Sequence, residues 1–485
     1  MKRLFALVTA SVTALLLANS LPPSAYAADN LPELGDNAST IVTPEQEYRL
    51  GRAWIRKLRG STPTLNDPVL QDYLERQSYR LAFHSPLQNP DLSLIIINDR
   101  QINAFAVPGG VIGINAGLLL HAETEAEFSS VLAHELGHLS QRHFARSLAD
   151  NQRNQWLYLG ALLASIAVAA GGDAQGAYAL GMTSQAAAIQ NRLSYSRQNE
   201  QEADRIGMQT LVDAGMDANA MPRFFQRMDR QYRQVGSVPE FILTHPLTQS
   251  RIADSISRAN QYPKKLADDG LDYQLARVRM LVQFMNDTGR GTAYFEKQLD
   301  GSRRLDDKTR INQLGLTLAL LRERQFAEAR RAIAPLLAAD PQRVDFVVAA
   351  AEIELADRQY ATALALLEPA LRLNPDSYAL RVYAARTMIM NDKAEQAVIA
   401  LEAMARERRD DPQLWRLLIE AYSARKDAMG IFRARAEVYF LSGNEEKALE
   451  QLKLASDQVK NNYPLTARLQ KRMREIESTR NDLKL

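Results

Sequence analysis

The stretch His134-Glu135-Leu136-Gly137-His138 decides the fold, because its pattern binds a metal only when it lies on a helix. At about 100° per residue, His134 and His138 lie about 40° apart, one turn above the other on one helix face. Two imidazoles placed in this way can bind one zinc ion. Glu135 projects beside them, where it can act on a water molecule without joining the ligands. The stretch therefore predicts a helix that carries two metal ligands and a general base.

The sequence around this stretch continues the helical pattern. Apolar residues recur at helical spacing on both sides of it: Phe128, Val131, Leu132 and Leu139. A helix that buries its histidine face suits a buried metal. Two core histidines with satisfied hydrogen bonds are the alternative, so the decision depends on a third ligand.

A carboxylate pair downstream supplies candidates for that ligand. Glu200 and Asp204 are four residues apart and share a helix face. In glutamate-type zincins, such a pair provides one ligand, here Glu200, and a second carboxylate, here Asp204, that holds a ligating imidazole. Glu202 is the rival ligand, but it projects about 160° away from Glu200, which is favoured because the aspartate follows it at the required spacing. An acidic helix start exposed to solvent is the alternative.

Three motifs together give a specific resemblance. His134–His138, Asn199–Gly207 and Thr244–Arg251 resemble the HtpX and CAAX-prenyl-protease group of zinc metallopeptidases. The resemblance implies a mainly α-helical chain with a zincin-type α+β metalloprotease domain that contains a small sheet. It also implies one Zn²⁺ per chain, bound by the two histidines and Glu200, with Glu135 as the catalytic base.

The last of these motifs implies regulation. By the same resemblance, His245 occupies the open metal position as a regulatory fourth ligand, and Arg251 stabilises the oxyanion. His245 precedes Pro246, which disfavours the interior of a helix for it. A loop histidine without a metal role is the alternative.

A small sheet is predicted just before the metal motif. Leu92–Asn98 is short and β-branched, and Asn103–Asn115 predicts two further short strands. An edge strand of such a sheet can bind an extended substrate through its main chain. We therefore predict substrate contacts at Asn103, Ala104 and Phe105, with a purely scaffolding strand as the alternative.

The N-terminus predicts export. A basic Met1-Lys2-Arg3 segment and an apolar stretch from Leu4 to Leu17 precede the cleavage site Ala25-Tyr26-Ala27. We predict a cleaved signal peptide at residues 1–27 and a periplasmic location, with an uncleaved anchor as the alternative. The chain has no cysteine, so neither disulfides nor thiol chemistry are available to it. The formal net charge is only +2 on 485 residues, so we predict that the chain has no nucleic-acid partner.

The second half of the chain predicts helical repeats. Phe326-Ala-Glu-Ala329 recurs as Tyr360-Ala-Thr-Ala363 and as Ala394-Glu-Gln-Ala397, at intervals of 34 residues. This period predicts an all-α tetratricopeptide-repeat solenoid at residues 270–480, after a metalloprotease domain at residues 28–265. Such stacks have a concave surface that binds peptides or proteins, with a purely scaffolding array as the alternative. By resemblance, the partners are unfolded or stalled outer-membrane β-barrel precursors and the β-barrel insertion machinery.

Two further features concern the surroundings of the site. Trp156–Ala170 is apolar but short for a membrane span. The stretch 156–188 is therefore a buried hairpin, a lid over the site or a peripheral membrane contact. The remaining histidines are predicted to have no role. His143 lies nine residues from His134, which places it on the opposite helix face, and His84 and His121 have no partner at ligand spacing.

The main functional prediction is a zinc endopeptidase that degrades stalled or misfolded precursors and has chaperone activity beside it. One alternative is an assembly chaperone or adaptor whose protease site is latent or secondary. The other alternative is an inactive protease that retains its zinc.

Overall fold

A computed structural model describes residues 42–150, 196–235, 240–265, 270–285, 289–302, 304–459 and 462–482. Within them the chain is mainly helical with one three-stranded sheet and a helical array at its C-terminal end, which confirms the predicted fold class. The predicted signal peptide and the stretch 156–188 lie outside the described residues. In the part of the chain that is described, every helix is too short or too polar to cross a membrane.

The helices of the first half begin where the sequence provides a short polar cap. They are α1 (Pro44–Ser61), α2 (Pro68–Phe83), α3 (Ala116–His121), α4 (Glu125–Ser140), α5 (His143–Asp150), α6 (Arg197–Asp213), α7 (Ala220–Val235), α8 (Glu240–Thr244) and α9 (Gln249–Ala259). Thr43, Asp67, Thr124, Ser196 and Thr248 accept a backbone N–H of the first turn in α1, α2, α4, α6 and α9. Each of these caps satisfies a donor that the start of a helix leaves unpaired.

The sheet consists of β1 (Ser93–Ile97), β2 (Ala104–Val107) and β3 (Val111–Asn115) in the order β1-β3-β2. β1 is parallel to β3, and β2 is antiparallel to it. Gly109 and Gly110, with φ of +79° and +77°, form the tight turn between β2 and β3, a backbone geometry that favours glycine. The predicted strands are thus confirmed, and β2 is an edge strand that packs beside α4.

Helices α4 and α6 cross very closely in the core of the first half. A Cβ atom on Gly207 of α6 would lie 2.9 Å from the His134 backbone nitrogen. A Cβ atom on Gly137 of α4 would lie 3.0 Å from the Ala203 carbonyl oxygen. Glycine at both points lets the two backbones meet, and this brings the carboxylates of α6 next to the histidines of α4.

The second half continues with α10 (Leu271–Phe284), α11 (Arg290–Leu299), α12 (Asp307–Arg322), α13 (Phe326–Ala339), α14 (Val344–Ala356), α15 (Tyr360–Leu373), α16 (Tyr378–Met390), α17 (Ala394–Glu407), α18 (Pro412–Ala424), α19 (Ala428–Leu441), α20 (Glu445–Asp457) and α21 (Tyr463–Asp482). Helices α13, α15 and α17 begin at the three recurring motifs found in the sequence. The turns that precede α13, α15, α17 and α19 contain Arg324, Arg358, Asp392 and Lys426, all in the left-handed region with φ between 56° and 61°. Their regular interval reproduces the 34-residue period in the backbone.

Helix α10 joins the two halves. Tyr273 and Met280 pack into the hydrophobic core around α4, whereas Leu275 and Val282 pack into the core of the first repeat helices. One face of α10 therefore packs in the core of the first half, and another face packs in the core of the first repeat helices. The boundary predicted between residues 265 and 270 falls immediately before it.

Helix α2 lies against the repeat helices, chiefly α16. Asp72 accepts hydrogen bonds from the Ser377 hydroxyl and the Ala379 N–H at the start of α16, both at 3.0 Å. Glu75 accepts from Arg408 at 2.8 Å. Part of the surface of the repeat helices is therefore covered by a helix from the first half of the chain.

Candidate active site

Four side chains from three segments converge on one point. The set contains His134 and His138 of α4, Glu200 of α6 and His245, which follows α8. The imidazole Nε2 atoms of His134 and His138 are 3.0 Å apart, and His245 Nδ1 lies 3.4 Å from His134 Nε2. Glu200 Oε1 lies 3.0 Å from His245 Nδ1 and 3.6 Å from His138 Nε2.

These distances suit a shared cation. Four donors about 2.1 Å from one tetrahedral zinc ion lie about 3.4 Å from one another. The donor separations given above are 3.0 to 3.6 Å, and all donor atoms of the set lie within 4.8 Å of one another. Three imidazoles and a carboxylate are also the ligand types that zinc prefers. The residues therefore fit the implied metal.

The donor set is closed off from solvent. Its four side chains and that of Glu135 are each between 0 and 2% exposed. Burial raises the pKa of Glu135 above its ordinary value, whereas neighbouring positive charges and the Ala106 backbone oppose this rise. Burial also disfavours a charge on His134, but the carboxylates of Asp204 and Glu200 outweigh it and raise its pKa to about 9. Such mutual perturbation is typical of functional sites.

Asp204 lies behind His134, where the spacing argument predicts it. Its Oδ1 atom is 2.9 Å from His134 Nδ1, the ring nitrogen that points away from the donor set. Arg251 donates to both oxygens of Asp204 at 2.7 and 2.8 Å, and its Nη1 lies 2.7 Å from Glu200 Oε2. The Arg251 Nη1 group also donates to the Pro246 carbonyl at 3.0 Å. Arg251 thus ties the carboxylates of α6 to the segment that carries His245, and its role at an oxyanion stays a prediction.

His245 is positioned by α8. Its N–H donates to the Phe241 carbonyl at 2.8 Å, and its ring stacks on the Phe241 ring with 4.8 Å between the centroids. At the other end of α8, Asn103 and Asn115 hydrogen-bond the Glu240 carboxylate, whose pKa is nevertheless raised by burial and by Asp99. Contacts at both ends of α8 therefore fix the position of the His245 imidazole.

The predicted substrate-binding residues lie at the start of strand β2. Asn103 precedes the strand, and its carbonyl accepts from the Asn115 N–H at 2.9 Å. Ala104 is fully buried opposite Ile114. Phe105 is half-buried, lies over Gly113 of the neighbouring strand and contacts Trp54 edge to face. Their contact with a substrate stays a prediction.

The interpretation of His143 as a histidine remote from the site is wrong. Its Nδ1 lies 2.9 Å from His138 Nδ1, and the ring is fully buried. The error came from extending the helix of the pentad through residue 143, because α4 ends at Ser140 and α5 begins at His143. The sequence signal that was available is Glu202, the rejected ligand, whose Oε2 lies 3.1 Å from His143 Nε2.

Comparisons with known proteins agree with this arrangement. Residues 68–258 match peptidase family M48, and residues 354–421 match the tetratricopeptide repeat. A homologue from Vibrio cholerae is 38% identical over 433 residues, which make up 88% of this chain and 88% of the homologue. The beta-barrel assembly-enhancing protease of Escherichia coli O157:H7 is 34% identical over 94% of this chain and 92% of its own length. That of Yersinia pestis is 32% identical over 90% of this chain and 89% of its own length.

Proposed function

Because the chain belongs to the beta-barrel assembly-enhancing protease family and is a metallopeptidase, we propose that it uses zinc to cleave proteins during outer-membrane β-barrel assembly. The observation that carries this proposal is the buried donor set of three imidazoles and Glu200, with the Glu135 carboxylate beside it. Donor sets of this type bind zinc in hydrolases, and a carboxylate next to such a set is suited to proton transfer.

The residues divide the chemistry between them. His134, His138 and Glu200 would hold the metal, which when bound supplies the Lewis acidity that polarises a peptide carbonyl and acidifies water. Glu135 takes the proton from the attacking water and later delivers it to the departing amine. Its burial favours this role, because it raises the pKa of the carboxylate and makes it a stronger proton acceptor than an ordinary glutamate. Asp204 fixes the orientation of the His134 ring from behind.

His245 keeps the site closed in this proposal. Its Nδ1 faces the other donors, while its Nε2 lies 3.6 Å from Glu135 Oε1. The imidazole therefore stands between the general base and the remaining ligands, in the space that a water molecule and a peptide carbonyl need. Turnover requires that His245 withdraws and that a client takes its place.

Metal content and casein cleavage by the purified chain test the catalytic part. We expect about one zinc per chain, loss of cleavage with a chelator and recovery with added zinc. Glu135→Gln should retain zinc and lose activity by about 10²- to 10⁴-fold, the usual contribution of a general base. The exposed Glu446→Gln is the matched control. A chain that cleaves casein equally well without metal would contradict the zinc proposal.

The closed ground state is tested by opening it. His245→Ala should cleave casein faster than the wild type, because the variant frees the space beside Glu135. His84→Ala, which removes an exposed histidine, should behave like the wild type. An activity of His245→Ala equal to or below that of the wild type, with zinc retained, would exclude the closing role.

The location and the clients belong to the same proposal. The N-terminal segment with its Ala25-Tyr26-Ala27 site supports export to the periplasm and removal of residues 1–27. The names of the relatives support clients among unfolded or stalled outer-membrane β-barrel precursors. Mass spectrometry of the secreted chain should find a mature N-terminus near Ala28. The His245→Ala variant should cleave a urea-unfolded β-barrel protein and spare the same protein once it is folded.

A second candidate function is assembly by binding, with proteolysis secondary. It is favoured by the closed donor set and by the repeats, which suit protein binding. Complementation with Glu135→Gln separates the two functions. Full loss of barrel assembly in cells means that proteolysis carries the function, whereas rescue by this variant means that binding does.

A further inference from the structure

The two histidines of the pentad are supported differently on the side away from the donor set. His134 Nδ1 meets a carboxylate, that of Asp204, at 2.9 Å. His138 Nδ1 meets a third imidazole, that of His143, at 2.9 Å. A metal-binding histidine needs a partner at its second ring nitrogen, because that partner fixes the tautomer and the orientation of the ring. His143 is in the place of such a partner.

The hydrogen-bond roles of this pair follow from the proposed function. To present the lone pair of Nε2 to a metal, His138 must carry its proton on Nδ1 and donate it to His143 Nδ1. His143 must then carry its own proton on Nε2. That atom lies 3.1 Å from Glu202 Oε2, so the carboxylate accepts this proton in a hydrogen bond. Both rings remain neutral, and each nitrogen has one defined role.

Glu202 is itself held in place. Arg146 of α5 donates to the same Glu202 Oε2 atom at 3.0 Å. The Glu202 side chain is 27% exposed, so the chain of contacts runs from the buried ligand to the surface. Helix α5, which carries no donor atom, is thereby connected to His138. So is the face of α6 that carries Glu202 rather than the donor Glu200.

The backbone between the two histidines is adapted to this contact. Arg142 has φ of +48°, in the left-handed region that is costly for a residue with a side chain. Its guanidinium lies 3.0 Å from Glu47 Oε2 and donates to the Val42 carbonyl at 2.7 Å. These contacts with the start of α1 stabilise the turn that ends α4 and directs His143 back onto His138. Strained backbone that the surroundings hold in place is typical of functional sites.

We propose that His143, oriented by Glu202, is a positioning residue that fixes the tautomer and ring orientation of the metal ligand His138. The inference rests on the proposed function, since it gives His138 a metal to bind. It predicts that the zinc affinity depends on a hydrogen-bond acceptor at the position of His143 Nδ1, and not on the volume of the imidazole. If His143 only filled space, the zinc affinity would depend on the side-chain volume at this position and not on the acceptor.

The matched pair His143→Asn and His143→Gln tests this inference in the full chain. The amide oxygen of asparagine can take the position of Nδ1, whereas that of glutamine reaches the position of Nε2 and leaves His138 without an acceptor. We expect His143→Asn to keep the wild-type zinc affinity, and His143→Gln and His143→Leu to lose about 10- to 100-fold. The readout is the zinc dissociation constant from competition with a chelator, with His84→Leu as the control.

The possible outcomes are distinct. Equal zinc affinity in the wild type, His143→Gln and His143→Leu would overturn the inference and leave the proposed function intact. Equal losses in His143→Asn and His143→Gln would also overturn it, because the position of the acceptor would then be irrelevant. If the wild-type chain binds no zinc, the proposed function fails and the inference fails with it. Thermal unfolding of each zinc-free variant identifies a loss of affinity that comes from misfolding.

Discussion

The surroundings of the donor set and the contact between the two halves each contain an arginine that binds two carboxylates. Arg251 binds Asp204 and Glu200, and these three side chains are between 1 and 5% exposed. Arg279 of α10 binds Asp67 of the α2 cap and Glu352 of α14, but here the exposures are 10, 24 and 16%. Both arginines compensate two carboxylates, one in a dry site and the other in a partly solvated one.

This difference in solvent exposure indicates where the molecule can tolerate rearrangement. Charges that water reaches lose little when a partner moves away, whereas a dry carboxylate without a partner is very unfavourable. A small rearrangement at the contact between the halves therefore costs less than one in the donor set. The donor set is suited to one arrangement only, apart from the segment of His245.

The largest expected effect comes from removing the two arginines in metal-free protein. Arg251→Ala leaves the buried Asp204 without its main partner and the buried Glu200 without one of its partners, and should lower the free energy of unfolding by about 3–5 kcal/mol. Arg279→Ala should lower it by about 1–3 kcal/mol, because water can replace part of the lost hydrogen bonding. Urea denaturation followed by circular dichroism measures both. Equal losses would mean that the two sites are equally solvated, and the comparison would fail.

The next effect concerns the crossing of α4 and α6. Gly207→Ala brings a Cβ atom to 2.9 Å from the His134 backbone nitrogen, so the two backbones must separate. We expect a loss of about 1–3 kcal/mol in the free energy of unfolding, as for other overpacked cores, and weaker zinc binding because Glu200 moves with α6.

Gly291→Ala in the repeat half is the control for this crossing. Its Cβ atom would meet only side-chain atoms, at 3.3 Å. Because alanine also favours a helix, this variant should be neutral or slightly stabilising. A neutral Gly207→Ala would show that the donor set is less rigid than its packing indicates.

A smaller effect is expected where α2 meets the repeats. Asp72 accepts from the Ser377 hydroxyl and the Ala379 N–H, and so caps α16 from another part of the chain. Asp72→Ala should lower the free energy of unfolding by about 0.5–2 kcal/mol, the usual value for a lost cap. The exposed Asp376→Ala is the control. If Asp72→Ala lowered the free energy of unfolding as much as Arg251→Ala, the contact between the halves would be as dry and rigid as the donor set.

The smallest effect concerns the turns of the repeats. Arg358 is exposed and has φ of +61°, a conformation that costs about 1–2 kcal/mol for a residue with a Cβ atom. Arg358→Gly relieves this cost but adds chain entropy to the unfolded state, so a gain of up to about 1 kcal/mol is expected. Arg372→Gly, inside α15, should instead lose about 1 kcal/mol. Thermal unfolding compares the two variants.

Much of the structure follows from local periodicity. The spacing of His134 to His138 and of Glu200 to Asp204 needs only the helical repeat, and the structure brings these side chains together. The 34-residue period predicts the repeats because each helix pair has the same local sequence requirements. The short strands around the Gly109-Gly110 turn are also local.

The error over His143 shows where local reasoning ends. The helical wheel assumes an unbroken helix, but the break at Arg142 depends on contacts with Val42 and Glu47, about a hundred residues earlier in the chain. Nothing in the residues around 142 requires a left-handed turn there. The contact of Arg251 with the carboxylates of α6 is likewise visible only in the structure, while the oxyanion role that the resemblance implies stays a prediction.

The sequence by itself determined the metal-binding pentad, the carboxylate pair and the repeat period, because each depends on residues within one helix or one helix pair. The resemblance implied that His245 joins the donor set, and the structure places it there. Only the tertiary structure decided that His143 contacts His138 and that α2 packs against the repeat helices. These contacts join segments far apart in the chain, and they are fixed by close packing and by the need of buried charges for partners.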